Sequence, residues 1–167
     1  MMIAHRIRIS RRGGAASLVV ALWLSANIGA KAMAADGLTT IKSAYSALET
    51  MARLEATVTA KGMTVFAHID HAAGAVEAGL PLRPTDLLIF GSPKGGTPLM
   101  QSVQAAGIDL PLKALVWQDE AGITWLSYNS PAWIAERHGA DTKAAIHMMT
   151  VAIDAIVAAA TSASPKQ

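Results

Sequence analysis

Two short stretches and a few scattered polar groups are the residues best placed to do chemistry. The first stretch is His68-Ile-Asp-His71. Alternate side chains of an extended strand share a face, so His68 and Asp70 would stand together, with His71 at the turn beside them. Two imidazoles and a carboxylate are metal ligands for zinc, copper or iron and would leave coordination positions open to water. The same residues have a plainer reading, with His68 in a core or interface and Asp70 and His71 capping the next helix. A neutral imidazole also titrates near neutral pH, so His71 could act as the base of a small hydrolase or isomerase.

The second stretch is Gly91-Ser-Pro-Lys-Gly-Gly-Thr97. Its Gly-x-x-x-x-Gly spacing, after an apolar run and before a helix, is that of a phosphate loop, but Thr97-Pro98 stands where Lys-Ser/Thr is required. Nucleotide hydrolysis is therefore not expected. Lys94 and a helix N-terminus at Thr97 could instead receive a carboxylate or another small anion. Asp109, Lys113, Tyr128 and Asn129 fall at strand ends, where they could line a pocket mouth or serve as turn and rim residues. Trp117 and Trp125 sit on opposing strands and read as cross-strand core or dimer packing, or as walls for an apolar ligand. The sequence has no Gly-x-Ser-x-Gly elbow and no His-Glu-x-x-His. No catalytic residue and no cofactor is assigned on these grounds.

The elements that must hold these groups follow from periodicity. Residues 37–45 are strand-like. Ser46-Ala-Leu-Glu49 is a capping box, and Ala47, Met51, Leu54 and Val58 recur at helical spacing until Gly62 stops the helix. Residues 63–70 alternate as a strand, with Met63, Val65, Ala67 and Ile69 on one face and Thr64, Phe66, His68 and Asp70 on the other. A short Gly-weakened helix follows from His71 to Gly79. Leu87-Leu-Ile-Phe90 reads as a central strand buried on both faces, around which the rest is arranged. Thr97 then caps a helix with Pro98 at its first position, its stripe formed by Leu99, Val103 and Ala106, ending at Gly107. Residues 112–117 and 123–129 form an antiparallel hairpin around Asp119-Glu-Ala-Gly122. Ser130-Pro131 opens a short helix, and Asp141 caps the last one, whose apolar face is Ile146, Met149, Ile153, Ile156 and Ala160. This order of elements predicts an α+β fold, a mostly antiparallel sheet packed against helices in a single layered domain over residues 35–160, with a polar tail at 161–167.

Charge and compartment narrow the function. The chain has net charge +2 and an apparent pI near 9.1. Five of its 14 basic residues (Arg6, Arg8, Arg11, Arg12 and Lys31) precede residue 35, whereas all 12 acidic ones follow it. From Ala35 onward 9 basic residues face 12 acidic ones, a net −3, so no nucleic-acid partner is expected. Residues 1–34 read as a secretory signal peptide. They combine a basic start, an apolar stretch around Leu18-Val-Val-Ala-Leu22, and Ala32-Met-Ala34 for cleavage after Ala34. The apolar stretch is shorter than the roughly 20 residues of a bilayer span, so no stable membrane span is expected after cleavage, and the expected location is periplasmic. The chain has no cysteine, so neither a disulfide nor a thiolate metal site is available to it.

Taken together, several of these pieces resemble the domain of unknown function 302 family. They are the helix over residues 46–62, Val65-Phe-Ala-His-Ile-Asp-His71 and Leu87-Leu-Ile-Phe-Gly-Ser-Pro93. Gly96-Thr-Pro-Leu-Met100, Ile108-Asp-Leu-Pro-Leu-Lys113, Val116-Trp-Gln-Asp119 and Tyr128-Asn-Ser-Pro131 complete the set. The resemblance implies a compact α+β domain and a homodimer, and it implies no agreed activity. The expected function is an exported domain that binds a small molecule or anion, with His71, Lys94, Thr97, Asp109 and Lys113 as candidate ligand-binding residues. The alternatives are a metal-binding protein built on His68, Asp70 and His71, or the small hydrolase or isomerase with His71 as base.

Overall fold

The two apolar runs flanking Asp119-Glu-Ala-Gly122 become the middle of the sheet. Strands β4 (Leu112–Gln118) and β5 (Thr124–Asn129) pair antiparallel, with Val116 opposite Leu126 and Trp117 opposite Trp125. Asp119 ties the turn between them. Its Oδ1 accepts the Ala121 and Ile123 N–H groups, both at 2.9 Å, and its Oδ2 accepts the Trp125 Nε1–H at 2.8 Å. These bonds, the one from Trp125 foremost, hold the Asp119 carboxyl below its ordinary value.

The computed structural model describes residues 37–163, so the expected leader at 1–34 and the last residues of the polar tail lie outside the described residues. The remaining elements are β1 (Leu38–Lys42), α1 (Ala47–Ala60), β2 (Thr64–Asp70), α2 (His71–Glu77), β3 (Thr85–Gly91), α3 (Pro93–Ser102), a 3₁₀ turn (Gln104–Asp109), α4 (Pro131–His138) and α5 (Lys143–Thr161). The five strands form one antiparallel sheet in the order β1-β5-β4-β3-β2, and with the helices they make an α+β fold.

The first two strands lie at opposite edges, so α1 must cross the sheet between them. Its 14 residues span about 21 Å, which matches a five-stranded sheet about 19 Å wide. The Ser46 half of the predicted capping box is formed, with Oγ accepting the Glu49 N–H at 3.2 Å. At the far end Gly62 takes φ +70°, a left-handed conformation that glycine adopts without a Cβ penalty. Met51, Leu54 and Val58 of α1 and Met149, Ile153, Ile156 and Val157 of α5 bury against Leu88, Phe90, Ala114, Val116 and Leu126 of the sheet, forming one core.

Leu87-Leu-Ile-Phe90 is therefore not a central strand covered on both faces. β3 is next to the edge, and the middle position belongs to β4. Leu88 and Phe90 are fully buried under the helices, while Leu87 and Ile89 are half-buried on the other face. A short apolar run cannot by itself report whether one or both of its faces are covered, and here the antiparallel pairing leaves one open.

On the open face, Trp117 and Trp125 stack with ring centroids 6.3 Å apart. The Trp117 Nε1–H donates to Ser127 Oγ at 2.9 Å, and Thr40 and Ser127 share a hydroxyl bond of 2.9 Å. The expected cross-strand tryptophan pair is present, positioned away from the helical core.

Tyr128 faces the other way, into the helix-covered layer, and its hydroxyl donates to Asp154 on α5 at 2.9 Å. Burial, reinforced by that bond and by the charge of Asp154, pushes the phenol up to about 12. A folded value above the ordinary 10 means that the folded state keeps a proton that the unfolded chain loses. Stability is thus intact below pH 10 and falls as the pH rises towards 12, by at most about 2–3 kcal/mol. Urea titrations at pH 9 and pH 11.5 are expected to show this decline, and a Tyr128→Phe variant is expected to lose most of the difference.

Candidate functional site

A cavity of about 450 Å³ opens where the end of β3 turns into α3. Three segments build it. Gly91 and the first turns of α3 form one wall, Leu110 to Leu112 a second, and α5 closes it with Met148, Met149 and Ala152. Met63, just before β2, and Phe66, within it, complete the rim. The Leu110–Pro111 peptide bond is cis.

The helix at this cavity differs from the expected one. It begins at Pro93 rather than Thr97, with Ser92 as the extended N-cap residue and Pro98 inside the helix. Proline at the first position suits the helix start, because its missing N–H needed no partner there. The Ser92 carbonyl accepts both the Gly95 and the Gly96 N–H, at 3.0 and 3.1 Å. The stretch expected to be a phosphate-loop-like turn is thus the first turn of α3. The far end differs too: the helix stops at Ser102, and the chain continues through the 3₁₀ turn. Within the expected stripe, Leu99 and Ala106 are buried, and Val103 is the capping residue.

Phe66 reaches the cavity because β2 carries a bulge. Val65 pairs with Phe90 and Ala67 with Ile89, which leaves Phe66 as the extra residue. A bulge re-aims one side chain and shifts the alternation beyond it. His68 consequently lies opposite Leu88, on the helix side, and Ala67 and Ile69 share the open face with Ile89 and Leu87. The uninterrupted alternation expected for residues 63–70 does not hold past Val65.

The candidate residues separate into three places. Lys94 and Thr97 line the cavity, together with Ser92. Asp109 does not line it and is engaged with α4, where its carboxylate accepts His138 Nε2 at 2.6 Å and lies 3.4 Å from Arg137 Nη1. The Lys113 ammonium donates to the carbonyls of Asp109 and Pro111, both at 3.2 Å. The stretch at 109–113 thus contributes apolar Leu110, Pro111 and Leu112 to the cavity, and its charged residues turn elsewhere. Tyr128 is in the core, and Asn129 is exposed and pairs with Leu38 of β1.

His68, Asp70 and His71 sit towards the opposite end of β2, from about 13 Å (His68) to about 20 Å (Asp70) along the strand from Thr64. His68 Nε2 meets Asp86 at 3.1 Å, and Asp70 caps α2 by accepting the Ala73 N–H at 2.8 Å. His71 is the exposed first residue of that helix. Among the described residues, no group of three or more His, Asp or Glu side chains lies close enough together to hold a metal ion.

Sequence reasoning marked the cavity's polar side through Lys94 and Thr97. It missed the apolar walls, Met63, Phe66, Met100 and Met148-Met149, because their spacing reads equally well as core. Met148 and Phe66 carry the signal that could have found them. They are 57% and 56% exposed, high for large apolar side chains, and both line the cavity.

Comparison with known proteins agrees with this architecture. A crystal structure of an uncharacterized conserved protein DUF302 from Bacillus stearothermophilus superposes with a TM-score of 0.62, covering 76% of this chain and 97% of that one at 22% identity. At that identity the match speaks for the fold alone. Two Brucella proteins named as fluoride-specific ion channels are also similar. FluC 1 of Brucella suis biovar 1 is 52% identical over 103 residues, which are 62% of this chain and 41% of that protein. FluC 2 of Brucella melitensis biotype 1 is 52% identical over 103 residues, 38% of its length. The chain thus spans about two fifths of the curated relatives it matches. The sequence model of the domain of unknown function DUF302 matches residues 39–156, from β1 to α5, and the chain belongs to that family.

Proposed function

We propose that this protein is an exported domain that binds a small, largely apolar molecule in the cavity between α3, α5 and the start of β2. The observation that carries this reading is the cavity itself. At about 450 Å³ it falls within the range of small-molecule sites, roughly 300–1,000 Å³, and pairs apolar walls with a few polar groups confined to one helix. The domain acts as a homodimer through the open sheet face. Leu87, Ile89, Leu115, Trp117 and Trp125 form an apolar strip there, flanked by Lys113 opposite Ile89 and Lys42 opposite Trp125, and a second copy would cover that strip about a two-fold axis. Native mass spectrometry of the protein recovered from its own periplasm tests both parts. The expected species is a dimer carrying an organic mass. A bare monomer would overturn the dimer, and failure of a broad small-molecule screen to shift the cavity methionine methyl signals would overturn the ligand reading.

The Brucella relatives favour a second reading, in which the protein works beside a fluoride channel. This chain is an α+β fold in which, among the described residues, one helix, α5, has the length and hydropathy of a membrane span, yet seven of its residues are buried in the fold. Ion passage in those relatives would then belong to the larger part that this chain does not span, with the matched part as an attached domain. In cells, deleting the gene is expected to change fluoride tolerance, and the protein is expected to co-purify with a channel. Unchanged tolerance without co-purification would end this reading.

A further inference from the structure

We propose that the cavity selects an anionic amphiphile with a single head, a carboxylate on an unbranched or simple ring-bearing apolar body, and that Lys94 receives the head. This rests on the small-ligand reading of the same cavity. The walls decide the body. Four of the chain's eight methionines line the space, and an unbranched thioether side chain adapts to different apolar shapes without imposing a hydrogen-bond pattern. Phe66 and Met148 leave apolar surface open to water at the rim, which an apolar body would cover.

The polar side chains decide the head. Ser92, Lys94 and Thr97 all lie on the N-terminal half of α3 and its cap, so a ligand meets polar side chains along one wall only. Lys94 is the one charged side chain on the lining, and no carboxylate is there to neutralise it. Lys94 is an exposed residue, and its ammonium makes no ion pair or side-chain hydrogen bond among the described residues. A cationic ligand would meet an uncompensated positive charge, and a neutral one would leave the ammonium's charge unused.

Size limits the body. At roughly 30 Å³ per CH₂-sized group, the share that water takes in the liquid, the space holds about fifteen heavy atoms. Decanoate, 1-decanol and decyltrimethylammonium all fit within that size, carry the same ten-carbon chain and differ in head charge, so they are the probes. The full-length mature protein would be labelled at its methionine methyl groups and titrated with each by NMR, alongside Lys94→Gln. The proposal expects decanoate to shift the cavity methyl signals at least tenfold more tightly than 1-decanol, with decyltrimethylammonium weakest, and expects Lys94→Gln to erase the advantage of decanoate. Equal binding of all three, or tightest binding of the cation, would overturn the anionic class and leave the apolar-cavity reading standing. No methyl shift with any probe would overturn both.

Discussion

Leucine in place of Gly95 is expected to abolish ligand binding, by at least a hundredfold, while leaving the fold as stable as before or more so. Gly95 lies in the first turns of α3 and lines the cavity. A Cβ added there would meet only Met149 Cγ, at 3.5 Å, an ordinary contact distance. The backbone therefore accepts a side chain, and replacing a helical glycine with a good helix former contributes about 1 kcal/mol of stability. The rest of the leucine side chain has nowhere to go but the space a ligand would use. Thermal unfolding and titration with any established ligand give opposite signs if the cavity is the site. Full retention of binding by a folded Gly95→Leu protein would remove the cavity from consideration.

The same helix explains why part of the molecule could be read from sequence and part could not. Where local signals agreed with one another, the elements formed as expected. Ser46 and Gly62 bound α1, Ser130 and Gly139 bound α4, and the hairpin turns at Asp119 and Gly122. Around α3 the signals conflicted. Gly95-Gly96 and the internal Pro98 argue against a helix, whereas Pro93 after an extended Ser92 argues for one, and packing against α5 and the 3₁₀ turn settles it. The bulge at Phe66 was invisible for another reason. A strand's alternation is unbroken in sequence whether or not the partner strand skips a residue, and only the pairing with β3 shows that Val65 and His68 share a face. Of this group Asp70 follows its plainer reading, since it caps α2, whereas His68 is not a core histidine but makes a partly exposed cross-strand pair with Asp86. That pairing could not be foreseen, because 18 residues separate the partners along the chain.

The two phenylalanines of the chain offer the second large effect, because fold and cavity assign them opposite roles. Phe90 is fully buried in β3 beneath the helices, and Phe66 is more than half exposed at the cavity rim. Truncating Phe90 to alanine removes a complete aromatic ring from a close-packed layer that includes Leu54, Val58 and Leu112, and the neighbours can relax into the space only partially. The expected loss is about 3–5 kcal/mol, comparable to much of the total stability of a domain this size. Phe66→Ala takes away a ring that water already reaches, so its expected cost in stability is below about 1 kcal/mol. The loss should appear instead in affinity for an apolar ligand, roughly tenfold for one wall of the site. Urea titrations of both variants, paired with binding measurements on Phe66→Ala, check the contrast. A large destabilisation by Phe66→Ala would mean that the bulge serves the fold rather than the cavity, and a tolerated Phe90→Ala would mean that the sheet is less tightly covered than its burial implies.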